Sequence, residues 1–368
     1  MRGILLAIVG TMVGLVSCCY AEESNQMKSP RSRWSKQEPW DYYQKQPWLV
    51  GFNYVPSYAC NTTEWWQEET FDPKTIDREL GWGSDIGYNT ARVFIQYMVW
   101  KHNPDAFKNR FTQFLTIAAN HGISVMPVLF DDCAFGVPPQ LDPYLGKQRD
   151  LIPGMIGPSW TPSPGRTLGT DPGEKASLRE YVVDMVSSFR EDKRIVIWDL
   201  YNEPMNIASV GTPEMIQQVV QWAREAGPTQ PVTIAVWTNK NRSLNDLMIA
   251  NSDVITFHVY TGFNGLKGRI AELKTYGYPI ICSEWMARGM GSRFDTDLPL
   301  FKAEQVGCYQ WGLVNGRTQC QFPWSNKPGG IVDPKTGWFH DILHSDGTPY
   351  RQEEVDVIRK VIGRKGNN

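Results

Sequence analysis

The stretch Ile195-Val196-Ile197-Trp198-Asp199-Leu200-Tyr201-Asn202-Glu203-Pro204 decides the fold. Its apolar run has the length of a fully buried strand, and such strands belong to parallel sheets covered on both faces. The run ends in a polar Asn-Glu pair, and proline, which has no N–H to give a ladder, stops it there. A carboxyl group is thereby fixed at a sheet's edge. Further along, Pro279-Ile280-Ile281-Cys282-Ser283-Glu284-Trp285 repeats the design, again delivering one glutamate.

Outward from these two runs the chain alternates strictly. Strands are expected over 48–53, 90–95, 124–130, 195–200, 232–237, 254–258, 279–283 and 307–311. Helical periodicity lies between them, over 106–119, 175–189, 213–226, 266–276 and 352–362, with a shorter pattern over 243–249. Another helix starts at Asp72-Pro73, a cap followed by proline in the first turn. Strands that alternate with helices imply a parallel sheet. A doubly wound open sheet would want a glycine-rich first turn, whereas the first strand runs into Tyr54-Val55-Pro56-Ser57. The expected architecture is therefore α/β, a single (β/α)8 TIM barrel with long loops after strands 3 and 8. Those loops, 131–173 and 315–350, are rich in proline and in aromatic residues respectively, which suits ordered walls of a site. By this count Glu203 follows strand four and Glu284 strand seven, both on the C-terminal rim that carries barrel chemistry.

The barrel is expected to span 47–365. Ahead of it, Met1-Arg2 and the apolar run 4–16 read as a signal peptide over 1–21, too short to span a bilayer. Two processing readings stand open. Leu15-Val16-Ser17-Cys18 resembles a lipoprotein box that would put a lipid on Cys18, and Cys19-Tyr20-Ala21 an ordinary cleavage site. Either implies export, to a periplasmic or cell-surface location or into the medium, with membrane contact only through that lipid. Residues 22–46 are polar and read as a flexible tether.

The 37 basic and 39 acidic residues are evenly mixed, so no nucleic-acid partner is expected. A monomer is expected. Beyond the leader five cysteines remain, with no C-x-x-C pair, which argues against zinc and dithiol chemistry; one or two disulfides or buried free thiols are both open. His340-Asp341-Ile342-Leu343-His344 has a metal pair's spacing but reads as a surface turn. No metal and no cofactor is expected, and no Gly-x-Ser-x-Gly anchors a serine triad. Among 15 Trp and 15 Tyr residues some are expected to form flat platforms for sugar rings.

Two glutamates on separate strand ends are what glycoside hydrolysis needs, one as proton donor and one as nucleophile. Asn202 beside Glu203 is placed to hydrogen-bond a sugar hydroxyl next to the anomeric carbon. These motifs, in frame with a barrel, resemble the clan A glycoside hydrolases, closest to the cellulase family (glycoside hydrolase family 5), from about residue 48 to 362. The resemblance implies that Glu203 is the general acid/base and Glu284 the nucleophile. It further implies that Arg92 hydrogen-bonds the nucleophile, that His258 and Tyr260 of His258-Val259-Tyr260 face the pocket, and that Trp311 floors the cleavage subsite. Trp237 and Trp285 are weaker candidates. Many members end strand three with histidine; here Phe130-Asp131-Asp132-Cys133 stands instead, and Asp131 or Asp132 is expected to bind sugar hydroxyls. The expected function is retaining hydrolysis of β-linked oligo- or polysaccharides. The rivals are transglycosylation by the same residues and a non-catalytic glycan-binding surface protein.

Overall fold

In a computed structural model the described residues are 31–238, 241–324 and 327–363. The expected signal peptide, the first part of the tether and the last two residues of the expected barrel lie outside them. Eight strands form one parallel sheet: β1 (Val50–Tyr54), β2 (Thr90–Phe94), β3 (Ser124–Asp131), β4 (Trp198–Asn202), β5 (Val232–Thr233), β6 (Ile255–His258), β7 (Ile280–Trp285) and β8 (Gly307–Trp311). Their order, β5-β4-β3-β2-β1-β8-β7-β6, puts sequence neighbours side by side with β1 against β8. The ring closes where Val236 donates to the Thr256 carbonyl and accepts from His258 N–H, both at 2.9 Å. This is the expected (β/α)8 barrel.

The sequence sets the layers directly. Helices pack their apolar stripes on the outer face, as Phe107, Phe111, Phe114 and Leu115 of Pro104–Asn120 do. Three of these helices begin with the same device. Asp72, Asn103 and Thr212 each accept an N–H of the first turn, and a proline follows at once, where its missing donor costs nothing. At the N-terminal mouth Leu49, Met126, Val196, Val254, Ile281 and Tyr309 close the barrel's interior. Above them the interior turns polar with Asn53, Arg92, Asp199 and Thr256, all buried.

Three expectations are corrected. Strand five is only Val232–Thr233, because Ile234 N–H turns to the Ser252 hydroxyl at 3.0 Å instead of a neighbouring strand. A helix over Phe294–Ala303, hidden in sequence by Asp295, Asp297 and an internal Pro299, follows β7 and buries Phe294, Leu298 and Phe301. The described part of the tether is folded. Its helix Gln37–Tyr43 lies under the barrel, where Tyr42 donates to the Val196 carbonyl at 2.8 Å and packs on the bottom layer. Aromatic anchors, not aliphatic ones, do this, which is why composition misread the segment. All five cysteines are free and buried. Among the described residues no helix is long and apolar enough to cross a membrane.

The N-terminal segment is fastened at Asp253, a fully buried carboxylate that takes Arg31 Nη2 at 2.5 Å and the N–H groups of Trp34 and Val232, both at 3.0 Å. Asp253→Ala orphans buried donors and is expected to cost about 1–3 kcal/mol for each group left unpaired. Denaturant unfolding measures the loss, and unchanged stability would detach this clasp from the fold's energetics.

Candidate active site

At the C-terminal mouth the strands converge on a cavity of about 750 Å³. Glu203 and Glu284 both line it, with Asn202, His258, Tyr260, Trp311 and Asp131. The strand ends deliver the two carboxyls in different ways. Glu284 belongs to β7, whereas Glu203 follows β4 with φ 43°, a left-handed conformation unusual for a residue with a Cβ. Met286, just past β7, is likewise left-handed at φ 77°. One oxygen of each carboxyl and Nδ1 of His258 lie within 4.8 Å of one another.

The partners of the two groups differ. Glu284 Oε1 accepts from Arg92 Nη1 and Oε2 from the Tyr260 hydroxyl, both at 2.7 Å. Among the described residues no lysine or arginine pairs with Glu203. Its Oε2 accepts from Asn206 Nδ2 at 2.5 Å and from the Cys133 thiol at 3.2 Å, and its Oε1 lies 2.8 Å from His258 Nδ1. Burial pushes both carboxyls above the ordinary glutamate value. For Glu284 His258, Arg92 and the Tyr260 hydrogen bond oppose that push while the Glu203 charge adds to it; for Glu203 the Cys133 and Asn206 hydrogen bonds and a more distant Arg92 oppose it. Two carboxyls this close do not both ionise freely, and the direct Arg92 and Tyr260 contacts favour the charge on Glu284. His258, desolvated inside the barrel, is held down at about 4 and is neutral at ordinary pH.

Arg92 is fully buried and uses every donor it has. Nε and Nη2 reach Asp199 Oδ2 at 2.9 and 2.8 Å, Nη1 reaches Asn53 Oδ1 at 2.9 Å as well as Glu284, and Nη2 reaches Asn202 Oδ1 at 2.7 Å. Asn53 and Asp199 had not been singled out. A charged residue inside the apolar run 195–200 was the one available signal for Asp199.

The remaining expectations divide. Trp311 lines the cavity and packs edge-on against Phe94 and Trp160. Trp237 also lines it and donates to the Pro204 carbonyl at 3.1 Å. Trp285 is core, packed on Phe294 and Phe301. Asp131 reaches the cavity wall, but its oxygens already accept from Asn202 Nδ2 and Trp160 Nε1, both at 2.8 Å, and from Cys133 N–H. It orients those groups and has little left for a sugar, which corrects the expectation. Desolvation raises it to about 7. Asp132 faces away and gathers the N–H groups of Met205, Val210 and Gly211. His340 is the largest surprise. Read as part of a surface turn, it is 1% exposed and lines the cavity. Its proximity comes from the loop after β8, which no periodicity reports.

Among the described residues the cluster with cation-ligand spacing is Glu203, His258 and Glu284 themselves. Arg92 against Glu284 opposes a cation there, and the Tyr260, Asn206 and Cys133 donors already answer the carboxylates. The arrangement suits proton transfer and nucleophilic attack between two carboxyls of unequal acidity.

Residues 54–329 match the model of the family described as Cellulase (glycosyl hydrolase family 5). No curated protein matches the chain. Among solved structures, a mannosidase of glycoside hydrolase family 5 from Rhizomucor miehei is similar in fold, with a TM-score of 0.56 at 12% identity over 87% of this chain and 93% of that one. A GH5_18 protein from Streptomyces cattleya, in complex with Manb1-4GlcNAc, gives 0.55 at 14% identity over 85% and 80%. The endo-beta-1,4-mannanase from Thermotoga petrophila gives 0.54 at 13% over 87% and 77%.

Arg92→Lys keeps the charge and loses the planar fork, so Asp199, Asn202 and Asn53 cannot all be served. Breaking such a buried network is expected to lower stability by about 3 kcal/mol. Thermal and denaturant unfolding check it; a variant as stable as the parent would show that the network contributes nothing to folding.

Proposed function

The chain belongs to the cellulase family, glycosyl hydrolase family 5, and is a glycosidase acting on O-glycosyl bonds; from that premise we propose that it hydrolyses β-linked oligosaccharides with retention, Glu203 serving as acid/base and Glu284 as nucleophile. The observation that carries the proposal is the unequal setting of two carboxyls whose oxygens approach within 4.8 Å. Retaining enzymes hold the pair at roughly 5–5.5 Å, whereas inverting ones leave room for water at roughly 6.5–9.5 Å.

Glu284, ionised against Arg92 and aimed by Tyr260, attacks the anomeric carbon. The bond to the leaving oxygen breaks as Glu203 gives that oxygen its proton. Water then attacks the glycosyl-enzyme, returning its proton to Glu203 and freeing Glu284. His258 Nδ1 lies 2.8 Å from Glu203 Oε1 and is a neutral partner that, in its Nδ1–H tautomer, donates to that carboxyl without adding a charge. Trp311 offers the apolar face on which the sugar lies. Neighbours described as mannosidase and mannanase make β-mannosides the first substrates to try. Export rests on the leader read at residues 1–21, with lipidation at Cys18 as one form of it.

A panel of nitrophenyl β-glycosides (manno, gluco, galacto, xylo) tests the reading. Turnover of at least one, with the β-anomer as first product by NMR, is expected; an α-anomer would refute retention. Glu284→Gln should abolish turnover while the barrel stays folded. Glu203→Gln should lose about 10²–10⁴-fold on unactivated oligosaccharides and much less on substrates with a good leaving group, which needs no acid. A fully active Glu284→Gln protein would remove that residue from the nucleophile's role.

The pH profile follows from the two shifts. Activity needs Glu284 ionised and Glu203 protonated, and burial raises both groups. The kcat/KM profile is therefore expected to be a bell displaced upward from ordinary carboxylates, falling on the alkaline side as Glu203 loses its proton. With an activated aryl substrate the alkaline limb should vanish in Glu203→Gln. A limb that persists belongs to another group.

A further inference from the structure

We propose that the cavity closes behind a single sugar on the Glu284 side, the non-reducing end of a β-linked chain, so that the enzyme removes terminal units and His340 reads a hydroxyl of the sugar held there. The inference rests on the glycosidase reading above. The leaving oxygen takes its proton from Glu203 on the β4 side, so the departing chain lies toward β4 and its neighbours. The sugar joined to Glu284 lies between β7 and Trp311 of β8. What stands beyond Trp311 then decides whether a chain can continue in that direction.

A continuous wall stands there. The long segments after β3 and β8 are stitched together. Gly157 N–H donates to the Thr318 carbonyl at 2.7 Å, Gln319 Nε2 donates to the carbonyls of Ile152 at 2.9 Å and Met155 at 3.1 Å, and Gly329 N–H donates to Pro153 at 2.9 Å. The two backbones approach so closely that a Cβ on Gly154 would lie 2.4 Å from the Gly330 carbonyl oxygen. The loop after β1 joins the same wall. Asn61 Nδ2 donates to the Ser159 carbonyl at 2.8 Å, and Arg317 N–H donates to Ser57 at 2.9 Å. These bonds, three between backbones and three from the Gln319 and Asn61 side chains, tie the described parts of the three loops into the wall that would stop a second sugar behind the first. The opposite rim differs: Asn206 after β4, Trp237 after β5 and Val259 and Thr261 after β6 line the cavity on the side of the departing chain.

His340 supplies the second observation. Its Nδ1 lies 2.5 Å from the Met286 carbonyl, which can only accept, so Nδ1 carries the hydrogen and Nε2 is left as a bare acceptor. Nε2 is buried and has no partner, and the ring lines the cavity beside Tyr260 and Trp311. Burial holds the ring neutral, at about 3, so the acceptor persists over the working pH range. A sugar hydroxyl donating to Nε2 would satisfy it.

The test uses the full chain and the β-1,4 tetrasaccharide of the sugar that the aryl panel identifies, reduced at its reducing end. A second sample carries a methyl ether on O4 of the non-reducing terminal sugar. The monosaccharide from the non-reducing end is expected as first product, and the methyl ether should slow cleavage by about 100-fold or more. His340→Asn keeps a donor for the Met286 carbonyl and drops the acceptor. It should lower kcat/KM about tenfold and erase the penalty that the parent shows toward one deoxy position of the aryl glycoside, a selective loss that a merely less stable fold would not give. Disaccharides as first products, or equal rates on the methylated substrate, would overturn the closed pocket. An intact penalty at every deoxy position would overturn the role of His340. A protein that cleaves no β-glycoside fails the glycosidase reading itself, and this inference with it.

Discussion

A guanidinium with no exposed surface must have its charge and its five donors answered inside the protein, since water cannot do it. Arg92 finds the answers on three other strands: Asn53 of β1, Asp199 and Asn202 of β4, and Glu284 of β7. Asn53 is itself tied across the barrel, donating to the Ser283 carbonyl at 2.8 Å. The barrel's polar layer is thus one network with a cation at its centre. Its two anions are Asp199, below the pocket and fully buried, and Glu284, at the pocket's floor. The proposed nucleophile is a member of the network that also joins the strands. Its position is fixed by the same bonds that keep the fold in register.

The same network explains how one residue type can serve two tasks. Glu284 has the cation and, among the described residues, Glu203 does not, which favours the charge on Glu284. The Cys133 thiol, just past β3, donates to Glu203. A weak, neutral donor steadies that carboxyl without adding a positive charge that would ionise it.

What could be read in the chain follows the range of the interactions involved. The barrel was legible because each strand carries its own evidence, an apolar run bounded by breakers, and the order of such runs suffices for topology. Glu203, Glu284 and Arg92 were legible because their strand ends place them on one rim whatever the loops do. Asn53 and Asp199 were not, because a buried polar residue's partner is chosen across the barrel and leaves no mark on its own strand. His340 was misread for a related reason: its i, i+4 pairing with His344 describes a helix, whereas the backbone there is a loop folded against the site. The helix at Gln37–Tyr43 was missed because its stability comes from docking aromatic rings under the barrel, and its own composition is polar.

The two long rim loops do more than wall the pocket. The backbone leaves both acid-bearing strands through left-handed residues, Glu203 at φ 43° and Met286 at φ 77°, a strain of order 1–3 kcal/mol each. Such conformations persist only where the surroundings over-determine them. At β4 the brace is Asp132, the first residue past β3, whose carboxylate gathers the N–H groups of Met205, Val210 and Gly211. At β7 it is the loop after β8: Phe339 accepts from Arg288 N–H at 3.0 Å and His340 donates to the Met286 carbonyl. Each long insertion thus begins or ends beside the neighbouring acid strand and holds its exit turn. Loops that only roofed the cavity could vary freely. Loops that also set the backbone beneath each carboxyl are bound to the chemistry, which is why the chain's two longest irregular segments follow β3 and β8, the neighbours of β4 and β7 in the sheet.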